Sequence, residues 1–235
     1  MRRILLFATI AAASLAALTV PGSALATNEC NGLDVCISVP GPWVTVAGSP
    51  GGRLRTVEYQ LACPRGSIAG GLDAVIGNEA LGVRFLGSLG SPVYPGISTG
   101  RAVVFVAWWA KRAPTVFRPI LGCIPTSGGG GRSTTATAPK KGSPPVRLVR
   151  AVRVPVGEAT TLRVSCRAGE RLVGSSHVVT FRGARAPSAA ALAGVSVTRS
   201  ERGKVVTVRA QRGAGVPRSA RVQVQVHAIC AKGAA

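Results

Sequence analysis

Cys63, Gly66 and Gly71 recur at the same spacing as Cys166, Gly169 and Gly174, and each set closes on a further cysteine, Cys123 or Cys230. A chain that repeats itself must build one unit twice, so this frame limits the fold more than any other feature. Val57-Glu58-Tyr59-Gln60-Leu61 alternates apolar and polar residues into Cys63, and Thr160-Thr161-Leu162-Arg163-Val164-Ser165 does so into Cys166. A period of two is that of a strand with one buried face. Gly66 and Gly169 then read as turn glycines leading into strands over Ile68 to Ile76 and Leu172 to Phe181.

Further strands are expected at Val83 to Leu86, Ala102 to Trp109 and Thr115 to Cys123, with counterparts at Val195 to Thr198, Lys204 to Ala210 and Arg221 to Ile229. Val35 to Val39, Trp43 to Ala47 and Val146 to Val154 supply leading strands, and Ala189 to Ala193 has room for one helical turn. In Arg221-Val222-Gln223-Val224-Gln225-Val226 the pattern sends valines to the core and Arg and Gln to water. Short strands punctuated by Gly and Pro predict an all-β fold of two tandem antiparallel β-sandwich-like modules.

Residues 1–26 read as an export signal: Arg2-Arg3, an apolar stretch from Ile4 to Val20, then Pro21-Gly22 and a small-residue site ending at Ala26. A stretch of seventeen residues lies at the short limit for spanning a bilayer, and no later stretch qualifies, so no membrane span is expected once the signal is removed. Gly128 to Gly131 opens a run rich in Gly, Ser, Thr and Pro without apolar periodicity, which reads as a linker at 127–145 between a first module, 27–126, and a second, 146–235.

Six cysteines in an exported chain favour disulfides over metal, and the chain has no Cys-x-x-Cys. Equivalent modules should close in equivalent ways, which pairs Cys63 with Cys123 and Cys166 with Cys230 and leaves Cys30 for Cys36.

The frame Cys63-Pro64-Arg65-Gly66 with Gly70-Gly71 and Cys123, repeated as Cys166-Arg167-Ala168-Gly169 with Gly174 and Ala228-Ile229-Cys230, resembles that of uncharacterised exported proteins of GC-rich Gram-positive (actinobacterial) type. The resemblance implies a small β-module outside the cytoplasmic membrane, secreted or held at the envelope, and brings no activity with it. The second copy departs by having Val173 in place of Gly70 and by inserting Arg182 to Ser188.

Charge and aromatic residues divide the copies. The formal net charge is +21; residues 27–126 hold 8 basic and 5 acidic residues, 127–155 hold 6 basic and none acidic, and 156–235 hold 13 basic and 3 acidic. Such an excess attracts polyanions without sequence specificity, so an anionic envelope polymer is the expected partner and a specific nucleic-acid site is not. Arg163, Arg167, Arg171 and Arg221 are the candidate contacts in the second module. Trp108 and Trp109, adjacent on a strand, must point to opposite faces, so one is free to meet carbohydrate or another envelope protein.

Catalytic constellations fare poorly. Gly96-Ile97-Ser98-Thr99-Gly100 matches the string of a nucleophile elbow, but prolines precede it and a strand follows where a helix is required. A small secreted hydrolase using Ser98 is therefore the alternative. His177 and His227 lack a partnering carboxylate in sequence, no acid pair suits glycoside hydrolysis, and no cofactor or metal motif is present. The expectation is a non-catalytic binding or structural protein; a pure spacer is the remaining alternative.

Overall fold

In the computed structural model, which describes residues 29–31, 35–86, 100–125 and 145–232, the alternating segments become thirteen strands. The first half contains β1 (Ile37–Pro40), β2 (Trp43–Val46), β3 (Arg55–Ala62), β4 (Ser67–Ile76), β5 (Gly82–Leu86), β6 (Ala102–Trp109) and β7 (Thr115–Pro125). The second contains β8 (Val146–Val154), β9 (Thr160–Ser165), β10 (Glu170–Arg182), β11 (Val195–Arg202), β12 (Val205–Arg212) and β13 (Arg221–Lys232). The one helix among the described residues, α1 (Ala189–Ala193), is a single turn capped by Ser188, whose hydroxyl accepts the Ala191 N–H. The fold is all-β, as expected. Residues 1–26, where an export signal is expected, Ser98 and nearly all of the 127–145 stretch lie outside the described residues.

The repeat is physical as well as textual. After each frame cysteine the chain turns through a glycine with positive φ, +79° at Gly66 and +75° at Gly169, a conformation that costs glycine nothing. The same hydrogen bond closes both turns, Ser67 N–H to Pro64 C=O and Glu170 N–H to Arg167 C=O, each 3.2 Å long. A register shift follows at the same place in both copies, between Ala69 and Gly71 in β4 and between Leu172 and Gly174 in β10. Val173 can therefore replace Gly70: the extra residue of a bulge leaves the ladder, and Val173 points into solvent.

Each half is a sandwich stapled across its two layers. β3 and β5 flank β6, and this small sheet covers β7, with Tyr59, Leu61, Val103 and Phe105 packed against Phe117 and Leu121. β9 and β11 flank β12 and cover β13, with Val164, Val206 and Val208 against Val222, Val224 and Val226. Cys63–Cys123 and Cys166–Cys230 join these layers at Cα separations of 5.7 and 5.6 Å, and Cys30–Cys36 forms the third disulfide. All three pairings are those predicted.

The two halves share one seven-stranded sheet. β4 lies on one side of β7, and β1 and β2 lie end to end along its other side, separated by Gly41-Pro42. β2 then pairs through Trp43 with Phe181 and through Val44 with Thr180 of β10, beyond which come β13 and β8. Because neighbouring strand residues face opposite ways, Trp43 enters the core of the second half while Val44 enters that of the first. Val178 of β10 returns the exchange by packing into the first core. The small sheets thus cover opposite faces of the shared sheet.

Candidate functional site

The junction between the halves carries the densest polar chemistry among the described residues. Register places Ser176 opposite His227 and Val149 opposite His227, so Ser176, Gln225, His227 and Arg147 share the face that meets β3. Arg147 Nη1 donates to Glu58 Oε2 at 2.5 Å and meets His227 Nδ1 at 2.7 Å, while Ser176 Oγ donates to Glu58 Oε2 at 2.9 Å. Arg147 is a donor only, so Nδ1 is the acceptor there, and the hydrogen sits on Nε2, which donates to Gln225 Oε1 at 2.6 Å. The Gln225 amide also takes the Gln60 N–H at 2.7 Å and gives to the Gln60 C=O at 3.0 Å. A side-chain amide thus stands where a neighbouring strand would pair with the edge of β3. The Glu58 carboxyl, beside the His227 ring and accepting hydrogen bonds from Arg147 and Ser176, is held well below the usual carboxylate range, against the opposing effect of its partial burial.

This placement corrects the reading of the β13 alternation: Gln225 is buried and does not face water. The cluster holds the halves together and assembles no nucleophile. Ser176 donates to the carboxylate, and the imidazole is fully buried. His177 points to the opposite face of the sheet, paired with Val226, where burial and then Arg199 lower its pKa. The two histidines therefore cannot act together. Cys166, Glu170 and Cys230 come within metal-binding distance of one another, but both sulfurs belong to the disulfide.

The sequence-predicted contacts are dispersed. Trp109 fills the first core and donates its indole N–H to Ala113 C=O at 2.7 Å; Trp108 lies half-buried on the other face, its ring seated on Gly82. Arg163, Arg167, Arg171 and Arg221 are all exposed. Arg163 shares the outer face of the β9–β12–β11 sheet with Thr161, Thr207, Arg209, Thr198, Ser200 and Arg202, as the register requires. Arg167 and Arg171 flank the Cys166 turn. Arg221 lies opposite Arg182, at the far end of β10 from Arg171, and eleven residues of strand at about 3.3 Å each put roughly 36 Å between those ends.

Around Arg221 the strand ends form a cleft of about 410 Å³ lined by Pro40, Gly41, Pro42, Arg118, Arg182, Gly183, Ser219 and Arg221. Two of its arginines are held in place. Arg118 Nε donates to Gly41 C=O at 3.0 Å with the guanidinium 5.9 Å from the Trp43 ring centre, and Arg182 Nε donates to Gln223 Oε1 at 3.1 Å. No carboxylate is among the lining residues. Sequence reasoning named Arg221 but missed Arg118 and Arg182; the available signal was the insertion, which begins at Arg182 and forms one wall.

Fold and site define a disulfide-stapled protein of three β-layers with a cationic surface and an arginine-lined cleft. Comparison with known protein families, with curated proteins and with solved structures returns no match for this chain. No helix among the described residues is long and apolar enough to cross a membrane.

Proposed function

We propose that this is an exported, non-catalytic binding protein that contacts anionic polymers of the cell envelope through its second half. One observation carries the reading: among the described residues, Arg147 and Arg199 are the arginines within ion-pair distance of a carboxylate. Among the described residues, the other guanidinium groups have no described carboxylate within that distance. On the outer face of the β9–β12–β11 sheet, Arg163, Arg202 and Arg209 alternate with hydroxyl-bearing residues on a rigid, twofold-periodic surface. Arginine's planar fork suits the oxygens of such polymers, and several weak, screened contacts along a chain add up where one would not suffice. The disulfides suit a compartment that keeps thiols oxidised.

Retention on a heparin column at low ionic strength tests the reading. Wild-type protein should bind and elute with salt, and Arg163→Gln/Arg209→Gln should elute at distinctly lower salt. Flow-through of the wild type, or unchanged elution of the variant, would overturn it.

A further inference from the structure

We infer that the cleft bounded by Arg118, Arg182 and Arg221 is a binding site for a phosphoryl group, a tetrahedral oxyanion carried by a larger molecule. The inference deepens the polyanion-binding reading by naming the chemistry that one site selects.

Arg182 and Arg221 are direct cross-strand partners in the β10–β13 ladder. Like charges placed directly opposite each other destabilise a sheet, and nothing in the packing demands them here, because both side chains are exposed. Arg118 reaches the same cleft from β7, a different strand of the shared sheet, and its side chain is fixed by Gly41 and Trp43. Three arginine side chains therefore line the cleft with no acid among the lining residues, and the Arg221 guanidinium has no hydrogen-bond or ion-pair partner among the described residues. An anion in the cleft turns this mutual repulsion into attraction.

The geometry also discriminates among anions. A planar carboxylate presents two oxygens in one plane and is satisfied by a single fork, whereas a phosphoryl group presents oxygens in three or four directions and can accept from guanidinium groups arriving from separate strands. The cleft volume falls in the lower part of the range usual for small-molecule sites, larger than one oxyanion needs. The walls beyond the arginines are Pro40, Gly41, Pro42, Gly183 and Ser219, neutral and small, which suits the neutral polyol to which such a phosphoryl group is ester-linked.

The test is titration calorimetry with glycerol 3-phosphate, with succinate as the carboxylate comparator, on wild type, Arg182→Gln/Arg221→Gln and Arg163→Gln/Arg209→Gln. The cleft variant should lose about tenfold or more in affinity for the phosphate ester, while the outer-face variant keeps it. Equal affinity in the cleft variant, loss in the outer-face variant, or succinate binding as tightly as the phosphate ester would each overturn the inference. Thermal unfolding gives a second readout. Without ligand, Arg221→Gln should raise Tm by roughly 1–3 °C through relief of the like-charge pair, and glycerol 3-phosphate should no longer stabilise it. A fall in Tm would mark Arg221 as structural and sink the idea. Cosedimentation with phosphatidylglycerol vesicles, lost in the cleft variant, would assign the phosphoryl group to a lipid headgroup; binding of a glycerol-phosphate polymer alone would assign it to a soluble or wall-bound chain. Heparin retention that persists in the cleft variant leaves the general reading standing whichever way the phosphate titration falls.

Discussion

Replacing Gln225 by alanine isolates what the amide at the junction contributes. The side chain makes three hydrogen bonds, to the Gln60 N–H, the Gln60 C=O and the His227 Nε2–H, at 2.7, 3.0 and 2.6 Å. Truncation leaves all three groups without a partner in a site that is only 8% exposed at Gln225 and closed at His227. Orphaning a buried polar group costs about 1 kcal/mol at the low end, so the loss should be about 3 kcal/mol and larger if water cannot enter. Urea unfolding reads this as a midpoint shift of about 1.5 M for a slope near 2 kcal/mol per molar. Gln223→Ala, two residues away on the same face, removes only a contact to exposed Arg182 and should cost less than about 1 kcal/mol. Hydrogen exchange gives a residue-level check: the Gln60 amide, which points away from β6, should lose protection in Gln225→Ala, while the amides of Tyr59 and Leu61 keep theirs. Equal costs for the two variants, or unchanged protection at Gln60, would refute the view that Gln225 replaces a missing strand.

Two further outcomes follow from the same structure. Because the folded Glu58 carboxyl titrates below its usual value of 4.5, it contributes stability that is present above that pH and lost progressively as pH falls below it. Wild-type stability should therefore drop between pH 5 and about pH 2 more steeply than that of Glu58→Gln, and parallel curves would contradict the cluster. Replacing Cys63 and Cys123 together by serine should cost about 4 kcal/mol, against about 2 kcal/mol for Cys30 with Cys36, because the closed loops span 60 and 6 residues; equal losses in denaturant titration would tell against the loop-entropy account.

Strands were legible because their signal is local. β6 and β9 begin and end where alternation and turn residues say they should, and the duplicated spacing chose one disulfide pairing from many. Layering was less legible. Alternation reports that Gln225 and His227 share a face distinct from the valines, but the same polar positions suit water and suit the edge of another sheet. Glu58 and Gln60 carried the matching half of that message from far away in sequence. The cleft was hidden for a related reason: Arg118, Arg182 and Arg221 are remote in the chain, and only the β10–β13 register and the break between β1 and β2 at Gly41-Pro42 place them around one cleft.

β2 places Trp43 in one core and Val44 in the other, and this has a consequence for the order of events during synthesis. Trp43 is made early, but its ladder partner Phe181 and its neighbours in the second core come much later in the chain. Until β10 arrives, the newborn first half presents an indole and an unpaired strand edge, the combination that recruits unwanted partners. The early part of the chain must wait for the late part, so the vulnerable interval in this protein's life is the one between finishing β7 and completing β10.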